Sequence, residues 1–222
     1  MIDRVLEPEV MDTAEEAKVY DEMDHSLVND RFVADFLEAH GSCRGGEILD
    51  VGTGTALIPI RLCQVDPEAR VVALDLSTAM LERAALNIGR AGFGGRIACR
   101  LDDAKSLAQL HQAFEAVVSN SIIHHIPDPA PVFDQMSRLV AKGGTLFVRD
   151  LARPDSLAEI EHLVATYAGS EPQFARDLFG ASLNAALTLD EVRRIVADLE
   201  LPPESVTMTS DRHWTWSWRN DS

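Results

Sequence analysis

The sequence predicts an α/β protein built on a doubly wound, mostly parallel sheet. Two observations carry that expectation. From Glu47 onward, short and nearly continuous apolar runs alternate with amphipathic stretches, the pattern of strands buried on both faces between helices. The first run, Glu47-Ile48-Leu49-Asp50-Val51, leads straight into Gly52-Thr53-Gly54-Thr55-Ala56, and a helical pattern follows from Leu57. A strand that ends in a Gly-x-Gly turn and opens a helix lets a ligand come close to the main chain, because glycine places no Cβ in the way.

The elements follow in order. Residues 12–40 read as helix from the spacing of Ala14, Ala17 and Tyr20 and then of Phe32, Val33, Phe36 and Leu37, with Asn29-Asp30 expected to break it and cap the second piece. Strand 47–51 precedes helix 55–64, where Pro59 falls in the first turn and its missing N–H costs little. Strand 70–75 precedes helix 77–91, capped by Ser77 and ended by Gly92. Strand 96–101 precedes a short helix over 105–112, and strand 114–119 precedes a helical turn. A helix over 128–141 is expected to stop at Gly143-Gly144, before strand 145–150. Right-handed crossovers then force the doubly wound layout. After Leu151 the rhythm changes: residues 153–187 hold helical pieces with no strand between them. Thr188 to Leu199 forms an amphipathic helix with a capping box, Thr188-x-x-Glu191. Val206–Thr209 and His213–Trp218 alternate at period two and form a closing hairpin. Trp214, Trp216 and Trp218 share one face, either packed under a helix or stacked on a ligand.

Length and composition fit one domain, 1–222, with an N-terminal helical arm (1–42) and a helical insert (153–187) as a lid. Hydrophobic residues make up 46% of the chain, enough for a core. The net charge of −16 argues against gripping nucleic-acid phosphates or anionic lipid. More than half of that surplus lies in residues 1–41, read as a solvated acidic helical face. Cys43, Cys63 and Cys99 contain no C-x-x-C pair, so no metal is expected, and buried free thiols in a reducing compartment are. With neither a basic-then-apolar leader nor an apolar run of spanning length visible, a cytoplasmic protein is expected.

Acids close three successive strands: Asp50, Asp75 and Asp102-Asp103. Asp75 stands 21 residues after Gly54, where an acid accepts both hydroxyls of a ribose. A dinucleotide loop wants a further glycine where Leu57 stands, and a P-loop wants Gly-Lys-Ser/Thr, which is absent. The ligand expected is a nucleoside without a dedicated pyrophosphate cradle. These motifs resemble those of class I S-adenosylmethionine-dependent methyltransferases, small-molecule type. Asp50-Val51-Gly52-Thr53-Gly54-Thr55-Ala56 is similar to the family's first motif, with Ala56 for the usual third glycine. Asp75-Leu76-Ser77 matches the ribose-holding strand end, Asp102-Asp103-Ala104 the adenine-reading one, and Val118-Ser119-Asn120-Ser121 the methionine end.

The resemblance covers about residues 45–151 strongly, and the closing helix and hairpin fit the family's last two strands. It implies a seven-stranded sheet in the order 3-2-1-4-5-7-6 with helices on both faces, and S-adenosyl-L-methionine as cofactor. It implies cofactor contacts from Tyr20, Asp50, Gly52, Thr53, Gly54, Asp75, Leu76, Met80, Asp102, Asp103, Ala104 and Asn120. Tyr20 would close over the cofactor as a cap. Met80 would line the adenine pocket or fill the core. His124 and His125, directly after the fourth strand, are the candidates for a general base, since imidazole titrates near neutral pH. Ser119-Asn120-Ser121-Ile122 is not the Asn/Asp-Pro-Pro-aromatic tetrad of amino-group methyltransferases, which argues against adenine or glutamine targets. In the insert, Arg153 and Arg176 could pair with an anionic substrate group or with surface acids, and Tyr167 lies nearby in sequence. The expectation is an enzyme methylating a small molecule through an O, N, S or C nucleophile, as monomer or homodimer. A non-catalytic S-adenosylmethionine-binding subunit of the same fold is the alternative.

Overall fold

The structure is a computed structural model and describes residues 2–7, 13–22 and 25–221. Residues 12, 23 and 24 of the expected 12–40 helical stretch lie outside the described residues, as do residues 1 and 8–11 of the expected arm. The strands are β1 (Glu47–Val51), β2 (Arg70–Asp75), β3 (Ile97–Leu101), β4 (Phe114–Asn120), β5 (Val140–Leu151), β6 (Val206–Met208) and β7 (His213–Arg219). The helices are α1 (Ala14–Glu22), α2 (Ser26–His40), α3 (Leu57–Val65), α4 (Thr78–Ala91), α5 (Ala130–Arg138), α6 (Leu157–Tyr167), α7 (Gln173–Ala185) and α8 (Leu189–Asp198). The seven strands form one sheet in the order β3-β2-β1-β4-β5-β7-β6 with helices on both faces, the doubly wound arrangement expected. β1 runs parallel to β2 and to β4, and β2 parallel to β3. β6 and β7 are antiparallel, Thr207 opposite Thr215. No helix among the described residues is long and apolar enough to cross a membrane.

Local chemistry sets the helix ends. The Ser77 hydroxyl accepts from Met80 N at 3.2 Å and starts α4, and Gly92 at φ +78° ends it. Thr188 Oγ1 accepts from Glu191 N at 3.2 Å while Glu191 Oε2 accepts from Thr188 N at 2.8 Å, the reciprocal box at the start of α8.

Other boundaries moved. Asn29 and Asp30 do not break the arm: both lie inside α2, with Asn29 N donating to His25 O at 2.9 Å and Asp30 paired to Arg61 at 2.6 Å. The expected helix over 105–112 is a 3-10 turn, Ala104–Gln109, begun by Asp103. Gly143 and Gly144 are not a helix stop but part of β5. Gly143 adopts φ +73° and donates to Asn220 O at 2.6 Å, and Asn220 N returns a bond to Gly144 O at 3.0 Å. A glycine bulge inside a strand replaces the expected turn because the chain's C-terminal end supplies the partners. Cys43 and Cys63 are buried as expected, whereas Cys99 on edge strand β3 is exposed.

The chain divides into two compact units, one taking residues from Met1–Glu9, Ser121–Ala130 and Arg149–Trp216, the other from Val10–Asn120, Pro131–Val148 and Ser217–Ser222. In the larger unit Phe32, Phe36, Ile48, Val71, Val118 and Phe147 form one buried cluster. Phe147 meets Phe32 edge-on at 5.2 Å. In the smaller unit Leu151, Ile160, Leu163, Leu183 and Ala186 pack together, with Ile2 and Phe179 against them. Trp214 and Trp216 are fully buried, the packing alternative for the tryptophan face.

A Cβ on Gly144 would stand 2.7 Å from Glu115 O and 2.8 Å from Ala141 O, both main-chain atoms. Gly144→Ala is therefore expected to cost about 1–3 kcal/mol of stability. Urea unfolding checks this, and a change within a few tenths of a kcal/mol would mean β5 shifts freely.

Candidate active site

β1 closes on Asp50 and Val51, and the main chain then turns at Gly52 (φ +75°) and Gly54 (φ +55°), conformations costly for any side chain. Gly52 N and Thr53 N both donate to Leu74 O at 2.8 Å, which fastens the turn to β2. Asp75, at the end of β2, accepts from Gly54 N at 2.7 Å on one oxygen and from Ser77 N at 2.9 Å on the other. Main-chain amides thus hold both oxygens of the carboxylate, the Leu76 amide adding to those of Ser77 and Gly54. Ala56, where the resemblance expects a third glycine, takes φ +62° and caps α3. A left-handed alanine costs about 1–2 kcal/mol, so the conformation, not the residue type, is what the turn keeps.

Tyr20 in α1 lies over this turn: a Cβ on Gly54 would sit 3.8 Å from Tyr20 Cε1. α1 is held there by Asp21, which accepts from Asn87 Nδ2 at 2.7 Å and pairs with Arg83 at 3.6 Å, while Asn87 also donates to Thr55 O. Burial, then the Asp75 and Asp50 charges, push the Tyr20 phenol up.

Several buried acceptors around the turn lack donors. Asp50 Oδ2, Thr55 Oγ1 and Asn120 Oδ1, the last at the end of β4, are buried without a hydrogen-bond partner among the described residues. Buried polar groups are rarely left so unless something else supplies the bond. Burial, with the Asp75 charge adding to it, pushes the Asp50 carboxyl up to about 7. Burial also raises Asp75, and the amides of Ser77 and Gly54 hold that rise down.

In the smaller unit, the 3-10 turn Ile123–His125 presents both histidines. His124 Nδ1 meets Asp150 Oδ1 at 2.5 Å, and the other Asp150 oxygen accepts from Ile123 N at 2.5 Å. Glu7 Oε1 lies 3.4 Å from His124 Nε2 and 3.3 Å from His125 Nδ1. Burial by itself lowers His124, but the Asp150 charge and hydrogen bond, joined by Glu7, outweigh it and raise the imidazole. Asp150 is the converse, its burial outweighed by His124 and two main-chain amides, so it stays low. Burial raises Glu7, with His124 opposing.

A family model described as "Methyltransferase domain" matches residues 43–198. The chain belongs to that methyltransferase family. It is similar to phosphatidylethanolamine N-methyltransferase of Cereibacter sphaeroides, 33% identical over 58% of this chain and 63% of the relative. It is also similar to the ubiquinone biosynthesis O-methyltransferase of Methylococcus capsulatus, 32% identical over 53% of this chain and 48% of the relative. The chain thus spans less than two thirds of the length of these relatives. Its fold is that of the plantazolicin methyltransferase BamL, solved with a triazolic desmethylPZN analog and SAH, at TM-score 0.71 and 14% identity over 94% of this chain and 91% of that one.

Within this family frame, the larger unit brings Tyr20, Asp50, Gly52, Thr53, Gly54 and Asp75 to one turn. Leu76 beside them is 41% exposed, and Met80 is buried in α4. Asp102 departs from expectation. Its carboxylate takes Arg100 at 3.0 Å and folds back to accept from Asp103 N at 3.0 Å, so that amide is spent locally. Asp103 caps the turn at Ala104 through Lys105 N at 2.8 Å.

Arg153 is not open to a substrate: its buried guanidinium donates to Ala186 O at 2.8 Å and Glu191 Oε1 at 2.7 Å, tying down the start of α8. Tyr167 is a surface residue, its hydroxyl on Asp211 at 2.5 Å and the Arg212 guanidinium 3.3 Å over its ring. Arg176 is half-buried in α7, its Nε lacking a hydrogen bond among the described residues. Sequence reasoning missed Glu7 and Asp150. Asp150 closes β5 as the other acids close their strands, a signal that was present; Glu7 had none.

Because the folded pKa of Asp50 lies above its unfolded value of about 4, its carboxyl costs nothing below about pH 4, increasingly more up to about 7, and most above it. Asp50→Asn is therefore expected to stabilise the ligand-free protein by on the order of 1–3 kcal/mol at pH 8.5 and hardly at all near pH 3. Urea midpoints at the two pH values measure it; equal gains at both would remove Asp50 as the cause.

Proposed function

We propose that the protein transfers a methyl group from S-adenosyl-L-methionine to a small-molecule acceptor. The observation that carries this reading is the glycine turn, with Asp75 pinned by two amides beside buried acceptors that lack donors. The cofactor fits that lack. It offers ribose hydroxyls to Asp75 and an ammonium to the Asp50 end, and the missing Cβ at Gly54 leaves room under Tyr20. Leu76 and Met80 supply apolar contact for the base, and the turn at Asp102, Asp103 and Ala104 closes that end. Gly52, Thr53 and Asn120 border the amino-acid end. When bound, the cofactor supplies a methyl group made electrophilic by its sulfonium.

The chain's own contribution is alignment and proton handling. Orientation of the acceptor can supply about 7–11 kcal/mol, and removal of its proton about 10²–10⁴-fold. His124 and His125, four and five residues beyond the end of β4, carry the acceptor side in this reading. Asp150 is the positioning residue that fixes the His124 ring. The insert 153–187 supports the 3-10 turn that bears both histidines through α7, which packs on it. The small-molecule assignment is supported by the relatives' names and by the net charge of −16, which opposes nucleic-acid binding.

Asp75→Ala is expected to weaken S-adenosylhomocysteine by about 1.5–3 kcal/mol in calorimetry, the range for losing a charged hydrogen-bond partner; unchanged affinity would take Asp75 out of the site, and no binding by the wild-type chain would end the reading. His125→Ala is expected to lower turnover at least tenfold with S-adenosylhomocysteine affinity unchanged. Equal turnover would return the histidine to a packing role.

A further inference from the structure

We infer that Glu7, His124 and His125 form a divalent-cation site of the zinc class, with an open position that takes an oxygen of the acceptor. The link to an acceptor rests on the methyl-transfer reading above; the cation site itself does not.

The donor set comes first. Two imidazoles and one carboxylate offer ligand atoms that all lie within 4.8 Å of one another. Adjacent residues of a 3-10 turn project about a third of a turn apart, yet the two rings here lie 4.1 Å apart, tilted by 36°. Both rings are thus brought to one carboxylate oxygen.

The distances come next. Glu7 Oε1 is 3.4 Å from His124 Nε2 and 3.3 Å from His125 Nδ1. A charge-assisted hydrogen bond would close to about 2.7–2.9 Å. Glu7 Oε1 is buried and makes no hydrogen bond of ordinary geometry among the described residues. A tetrahedral ion with bonds of about 2.0–2.1 Å holds its ligands about 3.3–3.4 Å apart. Both carboxylate-to-imidazole distances are long for hydrogen bonds and match two edges of such a site, and the ligand nitrogens of the two imidazoles lie within 4.8 Å of each other.

The supports are built as metal sites build them. Asp150 Oδ1 on His124 Nδ1 at 2.5 Å leaves Nε2 facing Glu7, the carboxylate–histidine arrangement that orients a ligand ring. Asp150 is itself set by Ile123 N at 2.5 Å and Leu151 N at 2.6 Å. Ser182 Oγ donates to Glu7 Oε2 at 3.3 Å, so Oε1 is the oxygen given to the histidines. The segment that brings Glu7 is latched by Arg4, whose guanidinium donates to Ala185 O at 2.6 Å, Ile126 O at 2.9 Å, Pro127 O at 3.0 Å and His124 O at 3.2 Å. Val5 N adds a bond to Asn184 O at 3.1 Å.

Three protein ligands with a vacant fourth position is the catalytic form of such sites. The His124 and Glu7 side chains are 5% and 6% exposed and that of His125 20%, so the site opens on the His125 side. An ion there lowers the pKa of a coordinated hydroxyl. The hydroxyl proton leaves to water, the oxygen lone pair forms the new C–O bond, and the C–S bond electrons stay on the sulfur. The acceptor class is a hydroxyl-bearing molecule, best one with a second oxygen to chelate.

The test uses the full chain, stripped with a chelator and titrated with Co²⁺. One equivalent is expected to bind with the visible d–d absorption of a tetrahedral nitrogen–oxygen set, and acetohydroxamic acid to change that absorption through the open position. Glu7→Gln, His125→Gln and Asp150→Asn should each weaken Co²⁺ at least tenfold, with circular dichroism confirming the fold; His125, half-exposed, is the variant least able to disturb it. Absent bands, or equal affinity in folded Glu7→Gln and His125→Gln proteins, would overturn the site. Bands indifferent to acetohydroxamic acid would overturn its open position. S-adenosylhomocysteine calorimetry on the same preparations separates the two readings, since either ligand can bind without the other.

Discussion

The carboxylate of Asp75 is the interaction on which the carboxyl ends of β1 and β2 depend. By taking Gly54 N at 2.7 Å and Ser77 N at 2.9 Å, it joins the turn after β1 to the turn after β2. Both amides are thereby fixed in one geometry. Bonds to an ionised group are roughly twice as strong as neutral ones. The parallel register of β1 and β2, with Val51 opposite Leu74, brings the two turns level. Sheet order, turn conformation and site are consequences of one another here.

Asp50 shows how differently two acids at neighbouring strand ends can be used. Asp75 is half-buried and held by amides that favour its charged form. Asp50 is 3% exposed, and its carboxyl is driven to about 7 by burial. An acid so placed is a poor contributor to the stability of an empty protein. It makes sense as an acceptor completed by a donor from outside the chain. Asp75 is held by main-chain amides on both oxygens, whereas Asp50 keeps one buried oxygen, Oδ2, without a partner among the described residues.

What could be read from the sequence was chemistry confined to a few residues. Ser77 and Met80, or Thr188 and Glu191, are three positions apart, and their caps appeared where the residue types placed them. The strand-end acids were legible for the same reason. Failures came where a distant partner decided. The glycine pair at 143–144 reads as a stop until Asn220 supplies strand bonds. Arg153 reads as a cation for a substrate anion or a surface acid until α8 brings Glu191 to its buried guanidinium. Glu7 and His124 are 117 positions apart, and nothing in either neighbourhood announces the other.

The latch that delivers Glu7 argues for function on its own terms. Burial lowers the Arg4 pKa, so the guanidinium is held where its charge is disfavoured, and it is satisfied by four main-chain carbonyls rather than by a carboxylate. If the segment served only to cover apolar surface, as Ile2 does, apolar residues would do it with less strain on solvation. A latch made of directed hydrogen bonds fixes position to a fraction of an ångström. Among the described residues of that segment, the side chain such accuracy serves is the buried Glu7 carboxylate between two imidazoles.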